Sequence, residues 1–275
     1  MGEKSQSGHS KGRKPPTSKS HRGQGRSGGG SARTGGGSGT GKGRGGGQGR
    51  GRDGKTTRPQ LDLTVGSQLP KWIQEEVTRT TRKERRAAVM QGLEAAADAF
   101  ADARYGKAAE LAERAKAGSS ANATIREILA LSLYRLGRWE DALRELRSFR
   151  RIAGETTHLP VEMDCLRALE RPDDVDKAWL ELKHLGGRPD TFREARVVYG
   201  SFLLDAGRPQ EAWRVANPKR IEKNPNEAEL RQWYVAARVA THLGDSASAR
   251  QMLTAITAAD PAFPGLDELD AAIGA

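Results

Sequence analysis

The sequence predicts an all-α chain, an α-solenoid of about five helical hairpins behind a disordered N-terminal tail. Three observations carry that expectation. From residue 83 onward the apolar residues recur at the three- and four-residue spacing of helix faces. Small residues and turn signals return at an interval of 34 residues. Residues 1–58, by contrast, contain no aromatic residue and no Leu, Ile or Val, so nothing there offsets the entropy of ordering the backbone.

The hairpin signal is clearest around residues 125–149. An apolar run, Ile125, Ile128, Leu129, Leu131, Leu133 and Leu136, ends at Gly137, and a second amphipathic run begins at Trp139. Gly137 can take the left-handed conformation that caps a helix, letting the chain reverse at once. Trp139 fills the corner, and Ala142 is small enough for two helices to approach closely. Thirty-four residues earlier Tyr105 stands for Trp139, Ala108 for Ala142, Ala96 for Ala130 and Ala112 for Leu146. Ala178 and Ala212 are again 34 apart. The period and the aromatic, glycine and alanine markers resemble the tetratricopeptide repeat. That resemblance implies a solenoid whose first helices line a concave, peptide-binding groove.

In chain order, residues 1–58 form the disordered basic tail, and 59–88 an extended arm with an N-terminal helix. Leu61, Leu63 and Val65 alternate, but an isolated strand has nothing to pair with, so an arm lying against the first helices is expected. Pro70 opens a helix with Trp72, Ile73 and Val77 on one face. Residues 89–275 form the solenoid. Its first hairpin spans roughly 89–118 and its second 123–154. The third is the poorest, because Arg171-Pro172-Asp173 replaces the glycine turn. The fourth turns at Ala206-Gly207-Arg208-Pro209, and the fifth runs from Trp233 through Gly244 to Pro261. Leu266–Ile273 read as a capping helix, since an end repeat must cover its neighbour's apolar face.

Charge is divided as unevenly as structure. The tail holds 20 of the 33 glycines and 14 of the 46 Lys and Arg residues, against only Glu3 and Asp53. The rest of the chain is nearly neutral, so the net charge of +11 belongs to the tail. Cys165 is the single cysteine, which excludes an internal disulfide and a thiolate metal cluster. No apolar run reaches the 18 residues of a membrane span, and no hydrophobic segment follows the N-terminal charges as in a secretory signal. A cytoplasmic protein is expected.

No constellation of catalytic residues stands out, and no cofactor or metal is expected. Gly36–Lys42 nearly spells a phosphate-binding loop, but Gly43 stands where a Ser or Thr should hold magnesium and no strand precedes it. His9, His21, His158, His184 and His242 include no pair at helical ligand spacing. His158 reads as a capping or exposed residue, Cys165 as a small core residue, and Glu140-Asp141 with Arg144-Glu145 as solvated helix face. The expected function is therefore a protein–protein interaction scaffold and not an enzyme. The tail adds an alternative, non-specific RNA or ribosome association through Arg44, Arg50 and Arg52 in glycine-rich context. Simple solubilisation weighs evenly against it.

The resemblance places Glu127, Tyr134 and Arg135 on the groove side of the second hairpin, and Arg167 on that of the third. In the fifth it places Arg231, Tyr234, Arg238 and His242 there. The paired Lys and Asn by which chaperone-binding members clamp a carboxylate are missing. The Arg231-Tyr234-Arg238 stripe, which the core pattern leaves without a structural task, suits an acidic or aromatic partner instead.

Overall fold

The structure, a computed structural model, describes residues 58–64 and 69–274. The expected disordered tail, 1–58, lies outside those residues except for Arg58, and so do the expected polyanion contacts at Arg44, Arg50 and Arg52. Among the described residues there are twelve α-helices and no strand. Helix α1 (Lys71–Thr80) and a 3-10 turn at Lys83–Arg85 lead into α2 (Arg86–Ala101) and α3 (Tyr105–Gly118). Then follow α4 (Ala123–Arg135) with α5 (Trp139–Ala153), and α6 (Leu159–Ala168) with α7 (Pro172–Leu185). The chain ends with α8 (Pro189–Asp205) and α9 (Pro209–Ala216), α10 (Glu227–His242) and α11 (Ser246–Ala259), and α12 (Leu266–Gly274). Each named pair packs together, and successive pairs meet through α3–α4, α5–α6, α6–α8 and α8–α10. Helix α12 lies against α11 and α10.

One turn geometry is used five times. Ala103, Gly137, Glu170, Gly207 and Gly244 all have positive φ, between 55° and 76°. After each, the next amide donates back across the turn: Arg104 to Ala99, Arg138 to Leu133, Arg171 to Leu166, Arg208 to Leu203 and Asp245 to Ala240, at 2.8–3.0 Å. Such six-to-one bonds satisfy carbonyls that the helix end would leave orphaned. The third turn corrects the sequence expectation, because its left-handed residue is Glu170 and Pro172 is already the first residue of α7. A non-glycine residue there costs about 1–2 kcal/mol, a strain the surrounding helices impose and the sequence does not announce.

The alanines that mark the repeat are where helices cross. Ala96, Ala108, Ala112, Ala130, Ala142 and Ala212 are fully buried. Gly200 serves the same end, since a Cβ there would stand 3.0 Å from Ala216 Cβ and 3.3 Å from Val235 Cγ1. Charge also enters the interior, against expectation. Glu145, read as part of a solvated face, is buried and bonds Lys116 Nζ at 3.0 Å and Arg126 Nη1 at 2.5 Å. Both cations come from neighbouring elements, which a single helix's periodicity cannot reveal. No described helix is long and apolar enough to cross a membrane.

In the arm, Leu61 and Leu63 are partly buried against the core. Arg58, counted with the tail on composition alone, belongs to the folded part. Its side chain is only 14% exposed.

Candidate functional site

The site begins with a carboxylate at a helix start. Glu76 of α1 is buried, and its Oε1 accepts the Ala123 and Thr124 amides of α4 at 2.6 and 3.3 Å. Its Oε2 accepts the Thr124 hydroxyl at 2.7 Å. These amides lack intrahelical partners, and an anion there complements the helix dipole. One turn along α4, Glu127 points to the same place. Its Oε1 lies 2.8 Å from His158 Nε2, contributed by the residue preceding α6. His158 is therefore a structural partner of Glu127 and not an exposed residue or a side-chain cap.

Arg58 enters this acidic pocket. Its Nη1 donates to Glu127 Oε2 at 2.7 Å and its Nη2 to Thr124 Oγ1 at 2.6 Å. Trp72 and Phe149 flank the guanidinium, which lies 4.6 and 5.3 Å from their ring centroids, a placement that adds cation–π attraction. The backbone is read as well. The Arg58 amide donates to Glu155 Oε1 at 2.7 Å, and Arg188 Nη2 donates to the Arg58 carbonyl. Pro59 biases Arg58 toward the extended backbone that presents these groups. Burial pushes the Glu127 carboxyl up, but the His158 hydrogen bond and the charges of His158 and Arg58 outweigh it and hold Glu127 below its ordinary value.

Glu155 and Arg188 also border an open cleft of about 790 Å³, a size typical of ligand sites. Its walls are the end of α5, the 154–157 loop and the turn at Gly186-Gly187. Thr156 ties the two loops together by donating to the Gly186 carbonyl at 2.8 Å. Four arginines line it, Arg147, Arg150, Arg151 and Arg188. Arg150 is committed to Glu162 at 3.0 Å and Glu181 at 2.5 Å. Arg147 reaches Glu162 only at 3.9 Å. Arg151 is exposed and has no acidic partner among the described residues. Exposed Leu185 contributes an apolar edge, and no aromatic ring lines the cleft.

The groove residues expected from sequence are scattered along the helices and largely engaged with the chain itself. Glu127 is consumed by the Arg58 pocket. Tyr134 donates its hydroxyl to Asp164 Oδ2 at 2.6 Å, and burial with that bond raises its pKa. Arg135 is exposed, its guanidinium 5.7 Å from the Tyr105 centroid. Arg167 pairs with Asp164 at 2.8 Å and Asp205 at 3.5 Å. Arg231 bridges α10 to α8 through Glu194 at 2.7 Å, and Tyr234 packs on Phe263 beside Gly265. Two members of the Arg231-Tyr234-Arg238 stripe thus have structural tasks, whereas Arg238 is half-buried and His242 exposed. Cys165 is buried, and burial lifts its thiol to about 12. No group of three or more metal-ligating side chains occurs among the described residues.

Arg58, Trp72, Glu155, Arg151 and Arg188 were not legible as site residues. The usable signal was Arg58-Pro59, where the glycine-rich composition ends and alternating leucines begin. The cleft left a fainter one, loop glycines at 154, 186 and 187 beside Arg150-Arg151. No protein-family model matches the chain, and no curated protein matches it.

Proposed function

We propose that the chain is a protein-interaction scaffold, a tetratricopeptide-like solenoid that holds an acidic, extended segment of a partner protein. The observation that carries this reading is the open cleft lined by four arginines, with Arg151 lacking an acidic partner among the described residues. Arginine pairs with carboxylates through its planar fork, and Leu185 offers an apolar contact beside them. The five hairpins with a shared left-handed turn support the solenoid reading. In such a stack the first helices α4, α6, α8 and α10 line the concave face, where exposed Arg135 and His242 add contact surface. A protein ligand is favoured over RNA because no aromatic ring in the cleft offers a stacking platform for bases. The reading assigns no reaction to the chain and places it in the cytoplasm, where a lone thiol stays reduced.

The test is fluorescence anisotropy with a labelled ten-residue peptide rich in Glu and Asp and with single-stranded RNA of equal length. Replacing Arg147 and Arg151 by Ala is expected to weaken peptide binding at least tenfold, about 1.4 kcal/mol. RNA binding, carried by the tail, is expected to be unchanged and to fall steeply with salt. Equal peptide affinity for wild type and double variant refutes the cleft as the docking site. Loss of RNA binding alone would favour the nucleic-acid reading.

A further inference from the structure

We propose that the pocket around Arg58 is an arginine-recognition site, filled in cis by the chain's own arm and open to an arginine-bearing extended segment in trans. The inference concerns a basic ligand and stands apart from the acidic-ligand reading of the neighbouring cleft.

The pocket has the composition of a receptor for one guanidinium. Glu127 and Thr124 take two of its nitrogens, at 2.7 and 2.6 Å. Trp72 and Phe149 flank it, with ring centroids 4.6 and 5.3 Å away. Glu155 and Arg188 take the amide and the carbonyl of the same residue. One arginine within an extended chain satisfies every one of these contacts. A lysine would not, because a single ammonium does not span Glu127 and Thr124 as a planar fork does. The pocket also demands a cation. Glu127 is 2% exposed, and without Arg58 its Oε2 would keep no hydrogen-bond donor among the described residues, a costly state for a buried carboxylate. An empty pocket is therefore a strong attractor for any guanidinium that reaches it.

The occupant is held by little else. Pro59 and Gln60 are exposed and make no side-chain hydrogen bond among the described residues. Asp62 is satisfied locally by Thr64, whose amide and hydroxyl donate to it at 2.9 and 2.6 Å. Only Leu61 and Leu63 add partly buried apolar contact. The fit of Arg58 is also imperfect, since its Nε is buried without an acceptor and Glu76 Oε2 stands 3.7 Å away. A short segment held by Arg58 and two half-buried leucines opens with less free energy than the whole fold, so a competing arginine has access whenever the arm leaves. The apparent affinity of a competitor then scales with the fraction of empty pockets.

The experiment uses the full chain and a labelled nine-residue peptide with the sequence of residues 55–63, read by anisotropy. Arg58→Ala is expected to bind this peptide at least tenfold more tightly than wild type does. A peptide carrying Lys in place of Arg58 is expected to lose at least tenfold on the variant, as is the wild-type peptide on Arg58→Ala with Glu127→Gln added. In wild type, excess peptide is expected to speed amide exchange across residues 58–64. Equal affinity for wild type and a folded Arg58→Ala chain overturns the proposal, as does no binding to that chain. Should Arg58→Ala fail to fold, exchange across 58–64 in wild type decides alone, and indifference to saturating peptide overturns it.

Discussion

The ion pair between Arg58 and Glu127 should be measurable as an energetic coupling. Their 2.7 Å contact joins side chains 14% and 3% exposed. With charge centres about 4 Å apart and an effective dielectric near 20, the gross attraction is about 4 kcal/mol. Desolvating both ions offsets much of that, and the partial exposure of Arg58 lowers it further. Breaking a buried pair by deleting one partner costs about 3–5 kcal/mol, so Arg58→Ala should cost near the lower end, about 3 kcal/mol. Glu127→Gln should cost about 2 kcal/mol, because the amide still accepts one hydrogen bond. The double variant should fall short of the sum by about 1–3 kcal/mol, the coupling expected of residues in direct contact. Urea unfolding of the four chains, followed by circular dichroism at fixed pH and salt, supplies the cycle. Additive losses would mean that the two charges act independently, and the acidic pocket would lose its energetic basis. A coupling that vanishes in high salt would place the pair at the surface, contrary to its burial.

Three further outcomes follow from the same geometry. Ala142 is fully buried where α5 crosses its partners, so Ala142→Leu should overpack the site and cost about 1–3 kcal/mol in a thermal or urea melt. Ala108→Leu should behave alike, and neutrality at both would contradict the equivalence of the two hairpins. The folded Glu127 carboxyl lies below its ordinary value, so its contribution is full above the unfolded pKa of about 4.3 and is lost as pH falls through the folded value. Glu127→Gln should thus lose less stability than wild type between pH 5 and the acid transition, and parallel losses would refute it. Cys165, buried with its thiol raised to about 12, should react with a thiol-specific disulfide reagent only in denaturant. Prompt stoichiometric reaction in buffer would show that α6 opens readily.

Much of the fold was written in spacing. Ala96 and Ala108 return 34 residues later as Ala130 and Ala142, all four equally buried, because close helix crossings select for a small side chain. Pro70, Gly137, Gly207 and Gly244 marked helix boundaries through backbone chemistry local to a few residues. The turns at Ala103 and Glu170 were illegible, because there the packed helices impose a left-handed residue that local preference disfavours.

The site divides in the same way. The sequence by itself determined that Cys165 belongs to the interior and that positive charge concentrates before residue 59. It set Glu127 on the groove side of its helix only through the resemblance, and the side chain is buried. It did not determine what Glu127 faces. The groove reading left it open to a partner, whereas tertiary packing brings Arg58 onto it from 69 residues away and His158 from 31. Arg231 likewise read as uncommitted because its acceptor, Glu194, sits on another helix 37 residues earlier. Helical periodicity reports which face a side chain occupies. The charge that meets it there is decided by loops and hairpins packed from distant sequence, so the arginine pocket and the cleft beside it exist only in the folded chain.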